Sequence, residues 1–339
     1  MGYIKRQLVS TYKAQHRGGR GISGQSTREE DYVEKIITTT THKFLLCFTN
    51  TGRVFKIKGY KIPETTSRSS RGTALVNLLK LAEGESIHNV IPVDDFDNED
   101  LFLTMVTRQG VIKKTALSKY ANINKNGLIA ARLREDDSIV SVKLTSAGQE
   151  VIVVSAEGKA IRFNSDDARD MGRTASGVRA MKLDDDDVVV GMEPVDPEKE
   201  ILVISENGYG KRTKADDYRS QNRGGKGLIT YKVSEKTGRL IGTVPVTDED
   251  DLLIITGQGV IIRVSASEIP TLSRATSGVR LMKAKNATIV DFALTDREEE
   301  EEEPAEGEGA PETTAETSAE GEPADANAQA GEDNGNEEV

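Results

Sequence analysis

An all-β domain of six four-stranded repeats set around an axis, followed by a disordered acidic tail, is what this sequence predicts. Three observations carry that reading. A unit recurs about every fifty residues, in the range that signals blades or solenoid turns. Each unit holds a hairpin turn ending in glycine at the same place, and the charge changes sharply near residue 296.

The charge boundary bounds the rest. The 339-residue chain carries a net −11, and from Asp296 onward 18 Asp and Glu face one arginine, a net −17, which leaves +6 for residues 1–295. The acidic balance therefore belongs to residues 296–339, which are rich in Glu, Ala, Gly and Pro without apolar periodicity and read as disordered. Residues 1–295 read as one β domain. Cys47, in the apolar run FLLCF, is the only cysteine, so neither a disulfide framework nor a thiolate zinc site can form within this chain. No charged-then-apolar leader opens the sequence, and no apolar run approaches the roughly 18 residues needed to span a bilayer. A cytoplasmic protein is expected.

The repeats start near residues 1, 44, 101, 151, 201 and 252. Each of the last five opens with a β-rich run: Phe44 to Thr49, Leu101 to Val106, Val151 to Ser155, Ile201 to Ser205 and Leu252 to Thr256. Turns such as TNTG, TRQG, SENG and TGQG follow, closing on Gly52, Gly110, Gly158, Gly208 and Gly259, with Gly2 at the matching place in the first repeat. A second strand comes next. A further glycine recurs at Gly21, Gly72, Gly127, Gly177, Gly227 and Gly278, and after it come TALVNLL, LIAARL, VRAMKL, LITYKV and VRLMKA, then a polar turn and a last apolar run such as SIVSVKL or TIVDFAL. With no long amphipathic helix between units, blades around an axis fit better than a linear β-solenoid, whose rungs are shorter. The first repeat lacks the apolar strand that precedes every other hairpin glycine, so its blade is expected to be incomplete and the chain to be the C-terminal piece of a longer one.

Two columns of positive charge run through the repeats. The strand after each hairpin carries Arg6, Lys56, Lys114, Arg162, Arg212 or Arg263, and identical register in equivalent blades predicts a circular positive band. Four residues before the second glycine stands an arginine in five repeats, Arg17, Arg68, Arg173, Arg223 and Arg274, with Ile123 in the other; Arg20, Arg71, Lys125 and Lys226 lie close by. Two positive points per blade could neutralise on the order of ten phosphates, with a steep salt dependence. Aromatics are 4% of the chain, too few for a single-strand stacking platform, so duplex backbone is the better partner. Tyr12, Ile62, Tyr120, Ala168, Tyr218 and Ile269, ten or so residues past the hairpin glycine, read as core.

In two repeats the basic turn is elaborated. QHRGGRG comprises Gln15, His16, Arg17, Gly18, Gly19, Arg20 and Gly21; QNRGGKG comprises Gln221, Asn222, Arg223, Gly224, Gly225, Lys226 and Gly227. The bland alternative is a tight glycine loop, but the duplication favours phosphate contact by backbone amides and guanidinium groups. No phosphate-loop NTPase pattern is present, because GKG is followed by Leu228. Asp184 to Asp187 and Glu135 to Asp137 occupy equivalent polar turns. His16, His42 and His88 are isolated, and no nucleophile signature stands out, so the sequence offers no active site and no metal.

These heptapeptides, set in fifty-residue β repeats, resemble the glycine-rich box of the C-terminal domain of the DNA gyrase A subunit, in the type IIA topoisomerase family, over about Met1 to Leu294. The resemblance implies a six-bladed β-pinwheel, propeller-like, with double-stranded DNA wrapped around its positive rim and the box required for wrapping and hence for negative supercoiling. Gln15, Arg17, Gly18, Gly19, Arg20 and Gly21 match the box, while His16 and Asn222 stand where a basic residue is usual. The related domain of the topoisomerase IV A subunit has a lost or degenerate box, so the near-complete box points to gyrase. The family's DNA-cleaving tyrosine, its gyrase B partner and its use of ATP and Mg belong to other parts of the full enzyme, so this region is expected to bind without cutting and to need no cofactor of its own. A bacterial, nucleoid-associated location follows from the same resemblance. Opposite charges in one chain suggest that the run Glu298 to Glu303 competes with DNA for the rim. The rival classes are a propeller-type interaction scaffold, which needs no basic register, and a propeller enzyme, for which the sequence supplies no cluster.

Overall fold

A computed structural model describes residues 2–13, 15–19, 22–23, 35–67, 70–283 and 287–297. Of the predicted site residues, Arg20, Gly21 and Arg68 lie outside the described residues, as does the predicted disordered tail from residue 298 on. The chain divides into Met1–Glu298 and Glu299–Val339, and the fold below is that of the first unit.

Its strands, in chain order, are β1 (Tyr3–Ile4), β2 (Ile22–Ser23), β3 (Phe44–Thr49), β4 (Arg53–Lys58), β5 (Thr73–Ala74), β6 (Ile87–Val93), β7 (Leu101–Thr107), β8 (Val111–Ala116), β9 (Leu128–Ile129), β10 (Ile139–Ser146) and β11 (Glu150–Ser155). There follow β12 (Lys159–Asn164), β13 (Val178–Arg179), β14 (Val189–Pro194), β15 (Glu200–Ser205), β16 (Tyr209–Lys214), β17 (Leu228–Ile229), β18 (Leu240–Val246), β19 (Asp250–Thr256), β20 (Val260–Ser265), β21 (Val279–Arg280) and β22 (Ile289–Asp296). They form five four-stranded sheets, β6-β3-β4-β9, β10-β7-β8-β13, β14-β11-β12-β17, β18-β15-β16-β21 and β22-β19-β20-β2, and one two-stranded sheet, β1-β5. Among the described residues the first blade has two strands, β1 and β5, in keeping with the incomplete blade that the sequence predicts.

Repeat and blade do not coincide. The short strand after the second glycine pairs with the hairpin of the preceding repeat: β9 with β4, β13 with β8, β17 with β12, β21 with β16. The same rule closes the circle, because β2, from the first repeat, pairs with β20 in the last, Ile22 opposite Ile261. Sequence alignment finds the repeat but is blind to which neighbour receives its strand. These outer strands are also shorter than TALVNLL or LITYKV suggests. In the second repeat the chain leaves β5 after Ala74 and enters a 3-10 turn at Leu75–Asn77.

The hairpins' apolar runs are continuous because both faces of each strand are covered. Leu202 and Ile204 of β15 pack with Leu252 and Ile254 of the next blade, while Ile201 and Val203 pack with Ile152 and Val154 of the previous one. Each such side chain, removed from water, stabilises the fold by about 1.5–3 kcal/mol. The residues read as core are buried: Tyr12, Ile62, Tyr120, Ala168, Tyr218 and Ile269. At the hairpin tips Gly52, Gly110, Gly158, Gly208 and Gly259 all have φ of 77 or 78°, and a Cβ at Gly158 would collide with the Tyr231 carbonyl oxygen.

Strands β6, β10, β14, β18 and β22 touch one another in succession and line the axis, which puts β9, β13, β17, β21 and β2 at the periphery. Residues 35–40 join β22 on the inside, where the Ile36 N–H donates to Asp291 at 2.8 Å and Lys35 lies 3.3 Å from the same carboxylate. Burial pushes the Asp291 carboxyl up, opposed by the Lys35 charge and the Ile36 N–H.

Candidate nucleic-acid interface

The strap between each 3-10 turn and the second glycine crosses from one blade to the next, and its course is fixed by backbone bonds. In the first glycine box the Gln15 N–H donates to Arg263 O at 2.8 Å, the Gly18 N–H to Leu281 O at 2.5 Å, and the Lys283 N–H to Gly19 O at 3.2 Å. The second box repeats these contacts one for one: Gln221 to Arg162 O at 2.8 Å, Gly224 to Ala180 O at 2.6 Å, and Lys182 to Gly225 O at 2.8 Å. Gly18 and Gly224 have φ of 78° and 81°, a region costly for other residues. The second glycine of each pair answers to a neighbour's side chain, since Cβ atoms at Gly19 and Gly225 would lie 2.9 and 3.4 Å from the Cδ1 atoms of Ile262 and Ile161.

Where the strap is not a box, a lysine can replace that isoleucine. Lys211, three residues past its hairpin glycine, donates to Ser273 O and Arg274 O at 2.5 Å each, and Lys113 donates to Ala130 O and Arg173 O. Both ammonium groups are buried, which pushes each down to about 8, helped by the charge of Arg274 on Lys211 and of Arg173 on Lys113. Among the described residues the strap seats therefore differ in chemistry: apolar beneath the paired glycines, cationic beneath the bare carbonyls of two other straps, and aromatic at Phe55, whose ring lies 2.9 Å from where a Cβ on Gly127 would sit.

The basic column after the hairpins has internal partners in every repeat. Arg6 donates to Ile62 O at 3.1 Å, Lys56 to Ala121 O at 2.6 Å, Arg162 to Ala215 O at 2.9 Å and Tyr218 O at 3.3 Å, Arg212 to Ile269 O at 2.7 Å, and Arg263 to Tyr12 O at 3.3 Å. Lys114 reaches Ser165 at 3.4 Å and the Asp166 carboxylate. Each thus grips the 3-10 turn of the following repeat, and carboxylates balance the charge: Glu64 for Arg6, Glu150 for Arg162, Glu200 and Asp248 for Arg212, Asp251 for Arg263. Lys114, Arg212 and Arg263 are buried. The equal register that suggests a solvent-facing band here produces a ring of blade-to-blade latches.

The strap residues are more open. Arg17, Lys125 and Lys226 are exposed, and Arg71, Arg173, Arg223 and Arg274 are half-buried. Arg223 donates to Asp167 O and Arg179 O at 3.0 Å each, Arg274 to Ile229 O at 3.4 Å, and Arg71 stacks over Tyr3 at 5.3 Å. Glu268 accepts from the Arg17 N–H and from His16 at 2.8 Å each. Burial raises the Glu268 carboxyl, but the Arg17 N–H and His16 outweigh it and hold the group below the usual carboxylate range. Arg179 and Arg280, exposed on the outer strands β13 and β21, form no column in the sequence because only two repeats carry them, as Val-Arg after the second glycine.

Negative charge is distributed differently. Hairpin tips meet the turn after the outer strand at one end of each blade, where the Gln109 N–H donates to Asp137 at 3.0 Å and the Glu157 N–H to Asp187 at 3.0 Å. Exposed Glu135, Asp136, Glu157 and Asp184 to Asp186 gather there. The equivalence read between Glu135–Asp137 and the aspartate run holds, since Asp136 and Asp186 share a positive φ, 56° and 62°. Asp184 is bridged by Lys159 and Lys226, whose hydrogen bonds and charges lower its carboxyl. The opposite end carries exposed Asp94, Asp95, Asp97, Asp166, Asp167, Asp216, Asp217, Asp248 and Glu249. Among the described residues no group of three metal-ligating side chains converges. A polyanion is thus repelled from both ends of the blades and attracted to their outer edge.

The family model for the DNA gyrase C-terminal domain, a beta-propeller, matches residues 2–40, 43–94, 102–146, 149–196, 199–247 and 250–296, one segment per repeat. The DNA gyrase A subunit of Clostridium acetobutylicum is 52% identical over 282 residues, covering 83% of this chain and 34% of that protein. The chain therefore spans about a third of that relative's length. A solved structure of a DNA gyrase A C-terminal domain superposes with a TM-score of 0.79 at 26% identity, covering 86% of this chain and 96% of the other. The C-terminal domain of DNA topoisomerase IV shares the fold, with a TM-score of 0.66 at 23% identity over 87% of this chain and 90% of the other.

Proposed function

Because the chain belongs to the DNA gyrase C-terminal domain family, we propose that residues 1–295 bind duplex DNA along the outer edge of the blades and bend it, as the C-terminal part of a gyrase A subunit. The observation that supports this best is the charge pattern, with open basic groups on the straps and outer strands and carboxylates crowding both blade ends. Smoothly bending a 20–30 bp site by 40–90° costs about 1–6 kcal/mol, so the contacts must be spread along the path. Straps at successive blade junctions supply such spacing. No base-edge reader is needed, and sequence preference should follow DNA flexibility.

Within this reading the two boxes, Gln15 to Gly21 and Gln221 to Gly227, fasten the duplex through Arg17, Arg20, Arg223 and Lys226, and Arg68, Arg71, Lys125, Arg173 and Arg274 continue the path. Arg6, Lys56, Lys114, Arg162, Arg212 and Arg263 act from beneath by holding the straps. In the whole enzyme, joined to the rest of its gyrase A chain and partnered by gyrase B, the bent segment would bias strand passage toward negative supercoiling, using ATP and Mg bound elsewhere in a bacterial cytoplasm. The corresponding domain of topoisomerase IV is the second reading, disfavoured by its lower structural similarity. The acidic segment 296–339 would compete with DNA for the same edge.

The test is DNA affinity and induced bending of the full chain against salt, with Arg17 and Arg20 changed to alanine. Steep salt dependence that weakens in the variant supports the reading, and salt-insensitive or absent binding overturns it. A chain ending at Thr295 should bind more tightly at low salt; equal affinity across salt would remove the role of the acidic segment.

A further inference from the structure

One more position recurs around the periphery. Five residues past the second glycine stand Arg132, Lys182, Lys232 and Lys283, each exposed and each directly after a buried pair: Ala130–Ala131, Ala180–Met181, Thr230–Tyr231 and Leu281–Met282. Among the described residues none of the four side chains has an ion-pair or hydrogen-bond partner. The backbones of the three lysines, by contrast, are tied down. The N–H groups of Lys182, Lys232 and Lys283 donate to Gly225 O, Thr276 O and Gly19 O, at 2.8, 3.1 and 3.2 Å. Each acceptor lies two residues before the second glycine of a neighbouring strap, so the lysine Cα is anchored against that strap's turn.

Two of the three acceptors belong to glycine boxes. We propose that Lys182 and Lys283 complete the boxes as phosphate-contacting residues, each supplied by the repeat on which the box rests, and that Lys232 extends the same contact to a strap without a box. The proposal rests on the reading that this edge binds duplex DNA. Neither lysine lies within a heptapeptide. A box is then a composite anion site. One repeat contributes Arg17 or Arg223, the neighbouring repeat contributes the ammonium of Lys283 or Lys182, and the shared N–H···O=C bond sets their spacing. A flexible four-carbon stem on a fixed backbone suits a point-charge contact to a phosphate that shifts along a bent path.

The experiment is a salt titration of duplex DNA binding by the full chain carrying Lys182→Gln, Lys283→Gln, Lys232→Gln or the double change at 182 and 283. Lys199→Gln, in the turn at the blade end where the Lys199 N–H donates to Asp196 O at 3.1 Å, is the control for mere loss of charge. Each box-side change should reduce the slope of log K against log salt by about 0.9, and the double change by about twice that. The urea midpoint should stay unchanged for the changes at 182, 232 and 283, because those side chains are exposed. Unaltered slopes in a chain whose unmodified form binds steeply would overturn the proposal and leave the DNA-binding reading standing. An equal effect from Lys199→Gln would also overturn it. Absence of binding by the unmodified chain would remove both.

Discussion

Arg263, in the last repeat, donates to the carbonyl oxygen of Tyr12, in the first, at 3.3 Å, while its Nε holds Asp251 at 2.8 Å and another nitrogen reaches Asp296 O at 2.6 Å. With side chains only 4% and 2% exposed, the Arg263–Asp251 pair sits where water cannot replace either partner. Replacing Arg263 by methionine leaves a buried carboxylate without its guanidinium and should cost about 3–5 kcal/mol in urea unfolding. Arg162→Met, at an equivalent latch whose Glu150 partner is 27% exposed, should cost less. A smaller loss at Arg263 than at Arg162 would mean that closing the circle has no special energetic weight.

The two glycines of the first box should fail in different ways. At Gly19 a methyl group lands 2.9 Å from Ile262 Cδ1 and 3.1 Å from Gln15 Oε1, so Gly19→Ala should cost about 1–3 kcal/mol by overpacking, partly recovered by Ile262→Val. At Gly18 nothing lies within 4 Å of a built Cβ, but φ is 78°, so Gly18→Ala should cost roughly 1–2 kcal/mol from the backbone alone, with no recovery from Ile262→Val. Thermal or urea unfolding of the four variants separates the mechanisms.

In the second box, Lys226 is 62% exposed and 3.4 Å from Asp184, a loose surface pair, whereas Arg223 is committed to two carbonyl oxygens. Lys226→Ala should therefore lower the salt slope of DNA binding by about 0.9 without moving the unfolding midpoint. Arg223→Ala should lower both.

Buried Lys113 and Lys211 make a pH prediction. Their folded values, about 8, lie below the ordinary lysine value, so between pH 8 and roughly 10.4 the unfolded chain binds more protons than the folded one. Their contribution to stability should rise as pH increases through that window and be flat below it. Comparing urea midpoints at pH 7.5 and 9.5 for the parent chain and for Lys113→Met with Lys211→Met checks the sign; equal pH dependence would contradict it.

Much of the architecture was legible because hairpin geometry is local. The TNTG and TGQG turns demand positive φ, and the apolar runs before them have nowhere to go but a covered strand. What the sequence could not show was direction across space. The register that aligns Arg162, Arg212 and Arg263 is equally consistent with a row of side chains facing water and a row reaching into the next repeat, and burial alone separates the two. The same holds for β9 or β17, whose short apolar signals name a strand but not the hairpin that receives it. Lys182 and Lys283 carry no signal of their own in the sequence, because Gly225 and Gly19 are near them only in the folded chain.

Strand donation from each repeat to the preceding hairpin bears on how the domain would carry a mechanical load. A bent duplex held on the edge stores elastic energy, about 1–6 kcal/mol per 20–30 bp, and tends to straighten, pulling its anchoring straps outward. Each strap leads directly into an outer strand that is hydrogen-bonded to one blade and covalently continuous with the next. On the proposed reading the recoil would be shared as tension along the polypeptide, from blade to blade and through the β2–β20 pairing across the seam. The assembly would work as a belt drawn tight by its own cargo.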